Sequence, residues 1–300
     1  MSLLSKKQPS NLHKKKAVLL FLLTLVSIAV IAVIVALFSS SGSNPLVAPA
    51  SAPTAEPEPA SAPKIPAAAE QNDLLKIAVE AQGTEQKIAY LTFDDGPTKE
   101  VTPLILDVLK QYDVKATFFM LGKMIERNGD LAKRVYEEGH LLANHSYSHS
   151  YQELYATDQS FMAEIEKTNS LIKEITQEEP FPLIRFPGGG YNAGSYAAEK
   201  QRYKRLLQEN GYYFADWNSL NGDAEGGTRS AEQLLARIKE TSGVKNIVVL
   251  MHDAATKKTT PQALPAMIEY LKNKGYTFRR LDEIEYYGGE NVRPVPNLEM

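Results

Sequence analysis

No cysteine occurs among the 300 residues, which excludes a disulfide framework, thiolate catalysis and cysteine-ligated metals. Tryptophan occurs once, as Trp217, and histidine only five times, so any two histidines that fall together carry weight. A strong net charge is also missing, since the formal value is −3. Acidic residues are absent from the first sixteen positions, where Lys6, Lys7, Lys14, Lys15 and Lys16 stand alone. Setting those lysines aside leaves about −8 for the rest, which excludes an electrostatic nucleic-acid binder.

Polar residues are then scarce from Ala17 to Phe38, a 22-residue run broken only by Thr24 and Ser27. At helical rise it spans roughly 33 Å, enough for a bilayer core and too long for a typical signal-peptide core. The lysines before it predict a cytoplasmic N-terminus, a retained single-pass anchor over 17–38 and an extracellular remainder. Residues 39–84 follow, rich in proline, alanine and serine up to about Ala69, and read as a semi-extended tether and connecting segment. The folded domain is expected over 85–300.

Within it, short apolar runs alternate with amphipathic ones: "KIAYLTF", "TPLILDVLKQY", "KATFFML", "DLAKRVYEEG", then "LIRFP", "YYFADW" and "NIVVLMH" with helical stretches between. Such alternation predicts parallel strands joined by crossover helices, an α/β barrel or doubly wound sheet. Thr102 before Pro103 reads as a helix N-cap. In either architecture ligands meet the C-terminal ends of strands. Four polar clusters fall at such ends: Asp94 and Asp95 in "TFDDGP", His145 and His149 in "NHSYSH", Arg185 in "RFPGG", and His252 in "VVLMHD".

Two imidazoles four residues apart plus one carboxylate form a common hydrolytic metal set with an open position. The adjacent aspartates repel, and neither can be buried without a partner. A cation on Asp95 answers half of that problem and leaves Asp94 as a base toward water. His140 lies at the opposite end of its strand and reads as structural. His13 belongs to the basic flank. The glycine-rich "NGDAEGGTRS" lacks phosphate-loop spacing, so no nucleotide is expected.

These four motifs, in this order over about two-thirds of the chain, resemble the polysaccharide deacetylase (NodB-homology) family, carbohydrate esterase family 4. The anchor and tether resemble those of membrane-bound peptidoglycan N-acetylglucosamine deacetylases. The resemblance implies a distorted (β/α) barrel of fewer than eight strands that removes acetyl groups with one divalent metal. Zinc is the first expectation, with cobalt or another divalent transition metal as alternatives. It implies metal ligation by Asp95, His145 and His149, a base at Asp94, an acid at His252 and a base-orienting Arg185. It also implies an acetyl-methyl pocket at Leu250 and an oxyanion donor at the Gly188 N–H.

Asp223 is expected to orient His252, with Asp216 as the competing choice and Asp253 as a turn residue. Departures fall in the groove: Ala224 stands where the family often has tryptophan, and "RFPG" where it often has Arg-Pro-Pro-Tyr. Tyr191 is expected to supply the missing wall, and Trp217 to serve as a sugar platform or as core. The expected partner is peptidoglycan or a related N-acetylated glycan. Alternatives are a chitin-like oligosaccharide, poly-N-acetylglucosamine, O-acetylxylan, or a non-catalytic wall-binding role.

Overall fold

Strand β1, Lys87–Asp94, is buried on both faces, as expected of a central parallel strand, and the rest of the sheet is arranged around it. The computed structural model describes residues 72–76, 86–191 and 196–284. The basic flank, the apolar run and most of the tether lie outside these residues. Among the described helices none is long and apolar enough to cross a membrane.

After β1 come α1 (Thr102–Tyr112), β2 (Thr117–Met120), α2 (Gly122–Arg127), α3 (Gly129–Glu137) and β3 (Leu141–Asn144). The chain continues through α4 (Tyr151–Leu154), α5 (Asp158–Thr176), β4 (Leu183–Ile184), α6 (Ala197–Glu209), β5 (Tyr213–Phe214) and β6 (Ser219–Leu220). It ends with α7 (Ala231–Thr241), β7 (Asn246–His252), α8 (Thr260–Asn273), β8 (Tyr276–Phe278) and a 3₁₀ turn at Leu281–Glu283. Seven strands run β5-β4-β3-β2-β1-β7-β6, all parallel, and β8 pairs only with the start of β1. No pairing among the described residues joins β5 to β6, so the sheet curls into a half-barrel without closing.

Strand alternation divides the core into an inner and an outer part. Leu91, Phe93, Phe118, Val249 and Met251 pack outward with Ile105, Leu109, Leu264 and Ile268 of the helices. Ile88, Tyr90, Phe119, Ala143, Leu183 and Val248 fill the inside. By the same period of two, Asp94 and His252 end their strands pointing inward. Capping boxes start two of the helices, Thr157 with Ser160 at α5 and Ser230 with Gln233 at α7.

The α1 start differs from the sequence expectation. Val101 is the N-cap and Thr102 the first helical residue, with no side-chain cap. The Thr102 hydroxyl is already committed: it donates to Asp253 Oδ2 at 2.6 Å and accepts the Thr98 N–H at 2.7 Å.

Candidate active site

Hydrogen bonding between neighbouring strands continues past their ends and fixes the backbone of the site. Asp95 N–H donates to Phe119 O, His145 N–H to Met120 O, Arg185 N–H to Asn144 O, and Asp253 N–H to Asp94 O. The functional residues therefore sit on the rigid sheet margin, where position is held better than in a free loop. In register, Asp94 of β1 faces His252 of β7.

Arg185 resolves the problem of the aspartate doublet. It is completely buried and donates through Nη1 to Asp94 Oδ1 at 2.9 Å and to Thr92 Oγ1 at 2.6 Å. Its Nε donates to Ala215 O, its Nη2 donates to Asp216 O, and the Phe119 ring lies 4.0 Å from the guanidinium. Each of the three nitrogens of the cation has an acceptor, so the ion pair is buried with its guanidinium engaged on every nitrogen.

Asp95, His145 and His149 bring one ligand atom each to within 4.8 Å of one another. Asp95 Oδ1 is 3.7 Å from His145 Nε2 and 3.6 Å from His149 Nε2, close to the roughly 3.3 Å edge of a tetrahedral zinc site. His145 Nδ1 lies 2.8 Å from the Arg185 carbonyl, which can only accept. Nδ1 therefore carries the proton and Nε2 presents its lone pair to the cluster. Burial, then the neighbouring His145, lower the His149 pKa and favour its neutral, ligating form. Donor types, spacing and tautomer all fit a divalent transition metal with open positions.

The ligand loop is built from strained residues, since Asp95, Ser146 and His149 have φ of 79°, 71° and 59°. Local bonds hold them: Asn144 Oδ1 accepts the Ser146 N–H, Ser146 Oγ accepts the His149 N–H, and Glu164 Oε2 accepts the N–H groups of Tyr147 and Ser148. Gly96 is required beside it, because a Cβ there would meet Asp253 Oδ2 at 1.9 Å.

His252 Nδ1 donates to Asp223 Oδ1 at 2.7 Å. Asp223 Oδ2 also accepts the His252 N–H and the Thr260 hydroxyl, at 2.9 and 2.8 Å. Burial pulls the His252 pKa down, but the bond and charge of Asp223 outweigh it and raise the value to about 9. The imidazole is thus protonated at neutral pH. Asp216, the competing choice, is engaged elsewhere, its carboxylate accepting the N–H groups of Gly190 and Tyr191.

Asp253 is more than a turn residue. It is 1% exposed, burial pushes its carboxyl up to about 7, and it ties the segment after β1 to α1 through Thr98 and Thr102. His140 is buried, accepts the Ala116 N–H, and is lowered by burial to about 3.

The groove residues are more scattered. Leu250 is buried on the inward face of β7, two positions before His252. Trp217 is half-buried against the inner core, with the Arg185 guanidinium 5.8 Å from its ring. Tyr191 is engaged at the β5 edge, where its hydroxyl donates to Asp73 and the Lys204 ammonium lies 3.3 Å from its ring. Gly188 has φ of 72° and lies under Tyr151, and the buried Lys200 donates to the neighbouring Gly189 carbonyl. Thr92, Tyr151 and Lys200 were not singled out from the sequence. Only Tyr151 left a signal there, its position two residues after His149.

A profile of the polysaccharide deacetylases matches residues 81–206. A Bacillus cereus protein named peptidoglycan-N-acetylglucosamine deacetylase is 33% identical over 214 residues, 68% of this chain and 73% of the relative. The chain belongs to the polysaccharide deacetylase family. It is a deacetylase of the hydrolase class, in a metal-dependent family. The solved catalytic domain of a peptidoglycan N-acetylglucosamine deacetylase from Eubacterium rectale is 33% identical, with a TM-score of 0.63 over 70% of this chain and 96% of that one. A Streptococcus mutans CE4 esterase is likewise 33% identical, with a TM-score of 0.61 over 69% and 89% of the two chains.

Proposed function

We propose that this deacetylase hydrolyses the N-acetyl groups of peptidoglycan amino sugars, N-acetylglucosamine first, with zinc held by Asp95, His145 and His149. The observation that carries the reading is that Asp94, paired with Arg185, and His252, paired with Asp223, face each other on adjacent strands beside a fitting ligand triad. The relatives named for peptidoglycan support the substrate.

A cation in the triad would supply Lewis-acid polarisation of water and of the amide carbonyl. Asp94, oriented by Arg185, removes a proton from the attacking water. The new C–O bond forms at the acetyl carbon while the Gly188 N–H faces the developing oxyanion. His252 gives its proton to the amide nitrogen as the C–N bond breaks, which makes the amine a competent leaving group. Leu250 lines the methyl side. The products are acetate and a glucosamine residue.

We also place the enzyme at the outer face of the membrane. The lysine-flanked apolar run and the tether support this placement. At about 3.3 Å per residue, a tether of some thirty residues reaches at most roughly 100 Å, which favours glycan near the membrane.

The test offers peptidoglycan, chitooligosaccharide and acetylxylan in parallel to the zinc-loaded protein. Acetate release with new glucosamine in peptidoglycan is expected, and its loss on chelation or in His149→Ala. Faster turnover of acetylxylan, or undiminished turnover after complete metal removal, overturns the reading.

A further inference from the structure

We propose that Tyr151 is a substrate-contacting wall of this site, its ring packing against the acetylated sugar and its hydroxyl bonding to it. The proposal rests on the deacetylase reading and names a residue that forms one side of the groove. The tyrosine follows the ligand loop directly, and its ring centroid is 5.6 Å from that of His149 with the planes tilted by 34°. It is one of four large apolar side chains described as exposed, at 38%, and the only one of them packed against a ligand of the triad. An aromatic ring open to solvent over a polar cluster is suited to the apolar face of a sugar.

Its hydroxyl lies over Gly188, where an added Cβ would stand 2.3 Å from Tyr151 Oη and 3.1 Å from Cζ. The phenol thus fills the volume that any side chain at position 188 would take. The ring therefore stands between the ligand loop and position 188. Among the described residues the hydroxyl makes no hydrogen bond, and the proposal gives it a sugar hydroxyl or acetamido group as partner. From behind, Tyr155 and Tyr196 support the ring, at centroid distances of 5.9 and 6.0 Å. Below it, Lys200 holds the Gly189 carbonyl at 2.7 Å, so the floor of this wall is fixed.

The test compares Tyr151→Ala, Tyr151→Phe and wild type, all zinc-loaded, on a chitooligosaccharide series and on a small aryl acetate lacking sugar. Alanine should raise KM for the oligosaccharides about tenfold or more, with kcat/KM on the aryl acetate within about threefold of wild type. Phenylalanine should recover most of the ring contribution and lose only the hydroxyl contribution, roughly threefold. Equal losses on both substrates would mean a structural role and overturn the proposal, as would an unchanged oligosaccharide KM in Tyr151→Ala. Wild type inactive on every N-acetylated glycan would instead defeat the deacetylase reading itself. If Tyr151→Ala unfolds early, Tyr151→Phe and Tyr151→Leu supply the same substrate split.

Discussion

Asp94–Arg185 and Asp223–His252 are both carboxylate–cation pairs, yet they behave as opposites. In the first, the guanidinium is wholly enclosed and donates through Nη1 to Asp94 Oδ1 at 2.9 Å, and its role is to orient the carboxylate. In the second, the imidazole keeps about 13% of its side-chain surface open and can give up a proton near pH 9. A base must be held where it can take a proton, and an acid must arrive carrying one. The difference shows how one sheet margin builds both from the same kind of contact, by choosing the cation and its burial.

The largest effect should come from breaking the enclosed pair. Arg185→Met leaves Asp94 buried without a cation and should cost about 3–5 kcal/mol of stability, read from denaturant unfolding, together with most of the activity. Wild-type stability in that variant would mean that Asp94 finds another counter-charge. Removing only the charge of the base is gentler on the fold. Asp94→Asn should retain the metal, measured by stoichiometry, while turnover drops roughly a hundredfold or more. Loss of the metal from that variant would exchange the roles of Asp94 and Asp95.

Loosening the open pair should cost less. Asp223→Asn should lower turnover about tenfold and move the alkaline limb of the pH–rate profile downward, because His252 loses the partner that raises it. In wild type that limb should fall at or below about pH 9, since a cation neutralising Asp95 removes one of the charges that hold the imidazole proton. An unmoved limb would assign the acid to another group.

The smallest effect is on stability against pH. His252 has a folded pKa above its unfolded value of about 6.5, so its contribution is complete below that pH and is lost as pH rises through about 9. Asp253 is raised by burial to about 7 from an ordinary value near 4, so its contribution is lost lower, across about pH 4 to 7. Thermal midpoints should therefore fall by a few degrees in two windows. Asp223→Asn should flatten the upper one and Asp253→Asn the lower one.

Much of this site was legible because its residue types are chemically rare together. In a chain with five histidines and no cysteine, two histidines four apart and an aspartate doublet at strand ends already pointed to a metal and a base. Alternating apolar runs likewise implied parallel strands, because only strands buried on both faces read that way. The choice between a closed and an open sheet was not legible, since β4, β5 and β6 are two residues long and carry almost no period. Thr102 read as a cap because local propensity cannot anticipate a carboxylate arriving from residue 253.

Motif order by itself placed a metal triad, a base and an acid at strand ends, since those depend on which side chains exist and where they stand, and the reaction class followed from the family the motifs resemble. The family resemblance favoured Asp223 over Asp216 as the partner of His252, and tertiary structure decided between them. Asp216 and Asp223 are equivalent in type and near in sequence, but one meets the N–H groups of Gly190 and Tyr191 and the other meets His252. It also decided that Tyr151 rather than a residue at position 188 lies beside the ligand loop. Such assignments turn on distances of a few ångströms between segments far apart in the chain, and only the curl of the sheet sets them.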